Sequence, residues 1–223
     1  MKQRFLLSIL FVCAFMVTTR AQISKGAIWL GGNIGYNKSK MGADTPYYKT
    51  NNLNISPAVG IVVKDNLVVG VGLTYLRRKS ENNGNILESK DNTYGVNIFA
   101  RQYIPVVNRL YIFGEVGAGY STFKGKETRL DYNYPYPQIK TTSKGWSTGL
   151  NVTPGLSFAI TKKFHLETSL NSLLGVAYSK SETSPDKPNT GNRSKYDQFT
   201  AGIFTDGKVQ FNIGCRFLLN NKG

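Results

Sequence analysis

The sequence predicts an all-β fold, an eight-stranded antiparallel up-and-down transmembrane β-barrel. Three observations predict it. Apolar residues alternate with small or polar residues along eight stretches, the connections are alternately short and long, and aromatic residues recur where the stretches meet the long connections. The 23 glycines and 13 tyrosines among 223 residues disfavour a helical bundle and a disordered basic tail. One histidine and two cysteines exclude a His/Cys zinc site and a disulfide scaffold, and we expect no metal or other cofactor.

The N-terminus predicts an export signal over residues 1–21. Basic Lys2 and Arg4 precede an apolar run over residues 5–17, and small residues at positions −3 and −1 predict cleavage before Gln22. The run is shorter than the ~20 residues that a membrane-spanning helix needs. A lipoprotein signal, the other alternative, is disfavoured because the apolar run continues past its cysteine.

Residues 22–223 are expected to form one barrel domain. The predicted strands, in chain order, are 28–36, 53–63, 67–75, 94–104, 110–120, 146–160, 164–178 and 209–219. Each has one apolar face and one face of glycine, serine, asparagine and isolated charges. A soluble β-sandwich would also alternate, but its exposed face would carry many lysines and glutamates. The pattern therefore favours a narrow, hydrated interior and apolar faces that contact lipid.

The connections alternate in length along the chain. The short ones are 64–66, 106–109 and 161–163, and the long ones are 37–52, 77–93, 124–144 and 179–198. This alternation is typical of transmembrane barrels, which have short periplasmic turns and long external loops. We therefore predict short periplasmic turns and four long external loops. The pattern leaves open whether residues 199–206 belong to the eighth strand or to the fourth loop.

Six aromatic residues lie on the apolar face, each where its strand meets a long connection. They are Tyr36, Tyr75, Tyr94, Tyr120, Trp146 and Tyr178. Rings at one level predict an interface girdle, in which amphipathic side chains lie between lipid and water. Chance enrichment of tyrosine in strands is the alternative, but it does not account for the shared face and level.

Charged residues on the inner face must be paired. If the turn between the fourth and fifth predicted strands centres on Asn108, Arg101 and Glu115 lie directly opposite each other, which predicts an internal ion pair. His165, Glu167 and Arg216 also point inward and predict a second polar cluster.

The internal pair has two possible roles. It could plug the interior, or it could gate a small pore; breaking a desolvated pair costs more than keeping it, which favours the plug. An enzyme is disfavoured because His165, Glu167 and Ser169 stand in a row and do not converge as a catalytic triad does. We therefore predict no catalytic residues.

The chain resembles the eight-stranded outer-membrane β-barrel family of the OmpA/OmpX type, and most of all its small standalone members. The resemblance rests on residues 93–120, 153–170 and 209–217. The last segment resembles the C-terminal signal that the barrel-assembly machinery reads, carried here by Phe211, Ile213 and Phe217. The six residues after Phe217 depart from the family, in which the signal usually ends the chain. The resemblance implies location in a bacterial outer membrane and the assembly machinery as a partner during biogenesis.

The charge balance suggests what the surface contacts. The net charge is +15, and each of the four long connections carries net positive charge. The outer leaflet of such membranes is rich in phosphate, so we expect a monomer with a structural or surface-interaction role that contacts membrane lipids and lipopolysaccharide. The alternatives are a narrow pore for small solutes and an adhesin that acts through the tyrosine- and proline-rich run at residues 131–137. Export makes nucleic acid an implausible partner.

Overall fold

A computed structural model describes residues 23–42, 48–82, 86–130, 138–170, 173–186, 193–203 and 211–221. The predicted export signal and the run at 131–137 lie outside these residues. No helix in the described part of the chain is long and apolar enough to cross a membrane.

Ten strands make up the described fold, and every pairing between them is antiparallel. They are β1 (Ile28–Met41), β2 (Tyr48–Lys64), β3 (Leu67–Asn82), β4 (Ile86–Val107), β5 (Leu110–Leu130), β6 (Gln138–Ala159), β7 (Phe164–Leu170), β8 (Leu174–Pro185), β9 (Ser194–Gly202) and β10 (Phe211–Leu219). The predicted all-β antiparallel fold is confirmed.

Eight of these strands close into a barrel-like ring. β1 to β7 pair in chain order, and β10 pairs with both β7 and β1. The closing ladder runs from Ile28 opposite Leu219 to Asn33 opposite Gly214. In the other half of the sheet, β8 pairs with β6, and β9 pairs with β8. The described residues contain no ladder between β9 and β1.

The seventh predicted strand is divided into two, and an additional strand, β9, lies where the fourth long connection was predicted, which corrects the prediction. β7 and β8 replace the single strand at 164–178, and β9 and β10 share the eighth position. β6 pairs with β8 as far as Val152 and with β7 from Gly155 onward. Pro154, which has no backbone N–H to donate, lies opposite this interruption. Residues 199–202 belong to β9, and residues 204–206 lie outside the described part.

The prediction of four long loops is wrong. The hairpins continue through most of these segments, with Met41 opposite Tyr48 and Leu130 opposite Gln138. The loop assignment relied on their polar side chains. Strand pairing, however, satisfies backbone groups whatever the side chains are, and threonine and serine at these positions tolerate an extended backbone. The predicted short turns are present, and Asn66 and Arg109 adopt left-handed φ values of 63° and 73° there.

The two faces of the ring differ as the alternation predicts. Outward-facing apolar side chains are exposed, among them Ile98 (62%) and Ile213 (73%). The inner face holds the buried core, in which Trp29 and Phe113 are each 1% exposed. Aromatic rings occupy space that glycines vacate: a Cβ at Gly70 would lie 2.5 Å from Phe99 Cζ. Side chains therefore pack the interior at the end of the ring that carries the short turns.

The N-terminal segment closes the end of the ring that carries the short turns. Ile23, 1% exposed, accepts a hydrogen bond from Asn66 N (2.9 Å) and donates one to Asn66 Oδ1 (2.9 Å). Gly26 N donates to Val62 O (2.8 Å). These bonds fasten the segment to β2 and the turn after it, and Ile23 and Ala27 join the buried core at the short-turn end.

Candidate functional site

Arg101 lies at the centre of the buried interior. Its Nη2 is 2.6 Å from Glu115 Oε2, and its Nε donates to the same oxygen at 2.7 Å. The two residues are directly opposite on β4 and β5, the register expected from a turn at Asn108. Arg101 Nη1 also donates to Glu167 Oε2 (2.6 Å), across the ring on β7. One guanidinium thus joins two carboxylates from different strands.

Glu167 extends this arrangement to a second cation. Its Oε2 lies 2.9 Å from Arg216 Nε, and its Oε1 accepts a hydrogen bond from the Tyr103 hydroxyl at 2.7 Å. Arg216 Nη1 donates to the backbone carbonyl of Gly32 (2.8 Å). Two arginines and two glutamates therefore form one neutral network, which we call the interior network. The expected Arg101–Glu115 pair is thus one part of a larger network, because Arg101 also reaches Glu167.

In the described part of the chain, His165 forms its hydrogen bond with Ser157 and not with the interior network. Its Nδ1 is 3.1 Å from Ser157 Oγ, and its ring stacks on Tyr111 with centroids 5.5 Å apart. Among the described contacts it has no hydrogen bond to Glu167 or Arg216, although it lies directly opposite Arg216 on the paired strand. Its partner Ser157 lies on β6 directly opposite Glu167, so His165 lies beside the interior network without a described hydrogen bond to it.

Three aromatic residues hold the interior network in place, and the sequence reasoning did not name them. Trp29 Nε1 donates to the Tyr103 hydroxyl (2.9 Å). The Arg101 guanidinium lies 4.3 Å from the Phe113 ring centroid and 4.9 Å from that of Trp29, within cation–π range. Their positions in the sequence could have indicated this role, because each is a large ring on the face otherwise occupied by glycine, serine and asparagine.

A cavity of about 470 Å³ extends from the interior network toward the opposite end of the ring. Its floor includes Trp29, Arg101 and Glu115, and its walls carry small polar side chains. The wall residues include Asn33, Ser56, Thr74, Asn97, Ser121, Ser147 and Asn151. At the short-turn end, the network and the segment at 23–27 separate this space from the outside.

The predicted girdle residues lie on the outer face, five of them in two contact groups. Tyr75 and Tyr94 have ring centroids 5.2 Å apart. Trp146 contacts Tyr120 at 6.1 Å and Tyr178 at 5.7 Å. The sixth, Tyr36 on β1, is 68% exposed.

Basic side chains lie two and four residues beyond this aromatic level, on the same outer face. One row crosses the strands from Arg77 through Asn92, Lys124, Lys144 and Glu182 to Lys195, each directly opposite the next. The next row contains Lys79, Lys90 and Lys126. We call the seven cations of these rows the basic band. They lie on strands that extend beyond the ring, where long loops had been predicted.

Part of the basic band is neutralised. Glu81 pairs with Lys79 (2.5 Å) and Lys49 (3.4 Å), and Glu88 pairs with Lys90 (2.8 Å) and Lys79 (3.1 Å). Hydrogen bonds from Lys79 and Lys49 lower the pKa of the Glu81 carboxyl, and the bond from Lys90 does so for Glu88. Both carboxylates therefore stay charged at neutral pH.

The residues of the predicted assembly signal lie on β10. Ile213 and Phe217 face outward, and the Phe217 ring contacts Phe164 with centroids 4.9 Å apart. Phe211 pairs with Leu170 at the start of the strand. Their use by an assembly machinery stays a prediction.

The chain is similar to known outer-membrane proteins. The model of a family described as outer membrane protein beta-barrel domain matches residues 7–217. Among solved structures, the crystal structure of a major outer membrane protein from Thermus thermophilus has 12% sequence identity and a TM-score of 0.47, and the match covers 87% of this chain and 99% of that one. No curated protein matches the chain.

The interior network predicts a large effect of one neutralising substitution. Glu167→Gln leaves two buried arginines with one carboxylate, and we expect a loss of about 3–5 kcal/mol in the free energy of unfolding. The matched control is Glu127→Gln, which removes the same charge from an exposed pair with Arg129 and should cost under about 1 kcal/mol. Urea unfolding of the refolded protein in vesicles, followed by tryptophan fluorescence, measures both. Equal midpoints for the two variants would contradict a structural role for the network.

Proposed function

Since the chain belongs to the outer membrane protein beta-barrel family and lies in the bacterial outer membrane, we propose that its ring spans that membrane and acts as a surface scaffold for lipopolysaccharide. In this arrangement the outward apolar face contacts lipid, the short turns are periplasmic, and the strand extensions project outside. The basic band would then contact the phosphates of the outer leaflet. An integral structural and surface-interaction role follows, without catalysis.

The observation that carries the proposal is the position of the basic band. Its first row lies two residues beyond the aromatic rings, about 6–7 Å along an extended strand. Tyrosine and tryptophan favour the boundary between lipid and water, so cations at this distance lie at the depth of the head groups. Lysine and arginine there attract phosphate through charge and through charge-assisted hydrogen bonds.

The closed interior supports a scaffold in preference to a channel. An eight-stranded ring has an interior just wide enough for side chains to fill. Here the interior network and its aromatic neighbours occupy the short-turn half, and Ile23 to Ala27 cross the end. A continuous water path would require several buried charges to separate, at a cost of several kcal/mol.

A narrow channel for small solutes is the second candidate, and the cavity of about 470 Å³ favours it. The cavity already reaches the interior network, so only the network and the N-terminal segment would have to move. In this reading Arg101 and Glu115 form the gate.

Thermal unfolding in vesicles tests the scaffold. We expect a higher unfolding temperature in vesicles that contain lipopolysaccharide than in zwitterionic phospholipid vesicles, because phosphate binds only the folded basic band. The difference should shrink in 1 M salt, where screening is nearly complete over a few ångströms. Equal unfolding temperatures in the two kinds of vesicle at low salt would contradict the proposal.

Single-channel recording in a planar bilayer distinguishes the channel. The scaffold predicts that the signal-free, folded protein shows no discrete openings, whether wild type or Glu127→Gln. Discrete openings whose conductance changes in Arg101→Ala would overturn the closed interior and make the interior network a gate.

A further inference from the structure

Lys79 and Lys90 of the basic band form ion pairs with carboxylates, whereas three other lysines of the band form none with the described residues. Lys124 on β5 lies directly opposite Lys144 on β6, and Lys126 lies two residues along β5 on the same face. Opposed residues on paired strands have Cβ atoms roughly 5 Å apart, and like charges in that position destabilise the pairing. No carboxylate of the described residues forms an ion pair with any of the three. Three lysine side chains therefore lie side by side on one patch of the outer face, which we call the lysine triad.

The nearest acidic residues in the sequence point to the other face. Glu127, next to Lys126, pairs with Arg129. Asp91 lies opposite Gly125, whose added Cβ would meet the Asp91 carboxylate, and it accepts a hydrogen bond from Ser89. Strand alternation thus separates Asp91 and Glu127 from the lysines beside them. Glu182 lies opposite Lys144 on the outer face, but its ion pair in the described part of the chain is with Arg193 (3.8 Å) and not with Lys144.

Elsewhere in the basic band the same arrangement is neutralised. Lys79 lies directly opposite Lys90, as Lys124 lies opposite Lys144, but Glu88 bridges this pair with contacts of 3.1 and 2.8 Å. The comparison indicates what the lysine triad lacks: an anion between its ammonium groups.

An aromatic surface lies immediately below the lysine triad. Tyr120 on β5 and Trp146 on β6 stack there, and Thr122, two residues after Tyr120 on β5, is a small outward residue directly opposite Trp146. A groove of about 860 Å³ is lined by these side chains together with Lys144, Lys180 and Lys195 and with the carboxylates of Glu182 and Asp197, the second of which pairs with Lys180. A ligand seated at the triad would therefore meet cations at one end and rings at the other.

We propose that the lysine triad and the Tyr120–Trp146 groove form a specific site for a phosphorylated, acylated lipid, with one phosphate between Lys124, Lys126 and Lys144. The site rests on the proposed function and narrows it from a diffuse basic band to one location. The phosphate supplies the missing anion, since its oxygens accept charge-assisted hydrogen bonds from several ammonium groups. The groove receives the sugar and the start of an acyl chain.

Binding of lipid A to the folded, signal-free protein tests this site. Native mass spectrometry from detergent gives the dissociation constant of diphosphorylated lipid A. We expect Lys124→Ser/Lys144→Ser to weaken binding about tenfold or more, since even one lost contact of about 1.4 kcal/mol changes affinity tenfold. Lys79→Ser/Lys90→Ser removes the same charge from the neutralised pair and should change affinity less than about threefold. Lys124→Arg/Lys144→Arg keeps the charge and should retain binding.

The probes separate the sources of the phosphate. Lipid A without phosphates should bind no better to the wild type than to Lys124→Ser/Lys144→Ser, and equimolar inorganic phosphate should not displace diphosphorylated lipid A. Displacement by equimolar inorganic phosphate would overturn the lipid assignment. Equal losses in the two serine variants would overturn the specific site while leaving the scaffold intact. Failure of the wild type to bind lipid A at all would overturn the proposed scaffold as well.

Discussion

The structure depends on one geometric constraint: a ring of eight strands turns its apolar face outward and leaves an interior only a few side chains wide. In the closed part every strand pairs with a neighbour on both sides, so the ring has no edge there. The charged residues of the inner face cannot reach bulk water through the sheet. They must neutralise one another, and the interior network does so with two arginines, two glutamates and the hydroxyl of Tyr103. Aromatic rings over glycines fill the rest of the short-turn half, and the cavity occupies the other half.

The same alternation separates charge on the strand extensions. Side chains of one parity continue the inner face, where Asp91 and Glu127 lie, and those of the other parity form the basic band. A chain with a net charge of +15 thus has a neutral interior network and places much of its excess charge at one outer level. That arrangement suits a protein of the bacterial outer membrane, whose outer surface is anionic, and it underlies both the scaffold and the lysine triad.

Local pairing explains which features could be predicted from the sequence. The Arg101–Glu115 register follows from a tight turn only a few residues away, and the outward faces follow from strict alternation. The contact between Arg101 and Glu167 could not be predicted in this way, because it crosses the ring between strands that are not neighbours. The division of the seventh predicted strand relates to Pro154 on the neighbouring strand, which has no N–H to donate to a ladder. The strand extensions were missed because polar composition was read as loop, although the hydrogen bonds of a hairpin do not depend on it.

The central claim is that the apolar outer face contacts lipid while the inner face does not. Spin labels on single cysteines test it directly, in a Cys215→Ser background that removes the exposed native thiol. Ile98→Cys places the label on the outer face of β4, and Ser121→Cys places it on the wall of the cavity. In vesicles, we expect dissolved oxygen to relax the label at 98 far more than a water-soluble nickel chelate does, and oxygen to have no such advantage at 121. A label at 98 that the nickel chelate relaxes as strongly as oxygen does would contradict the claim.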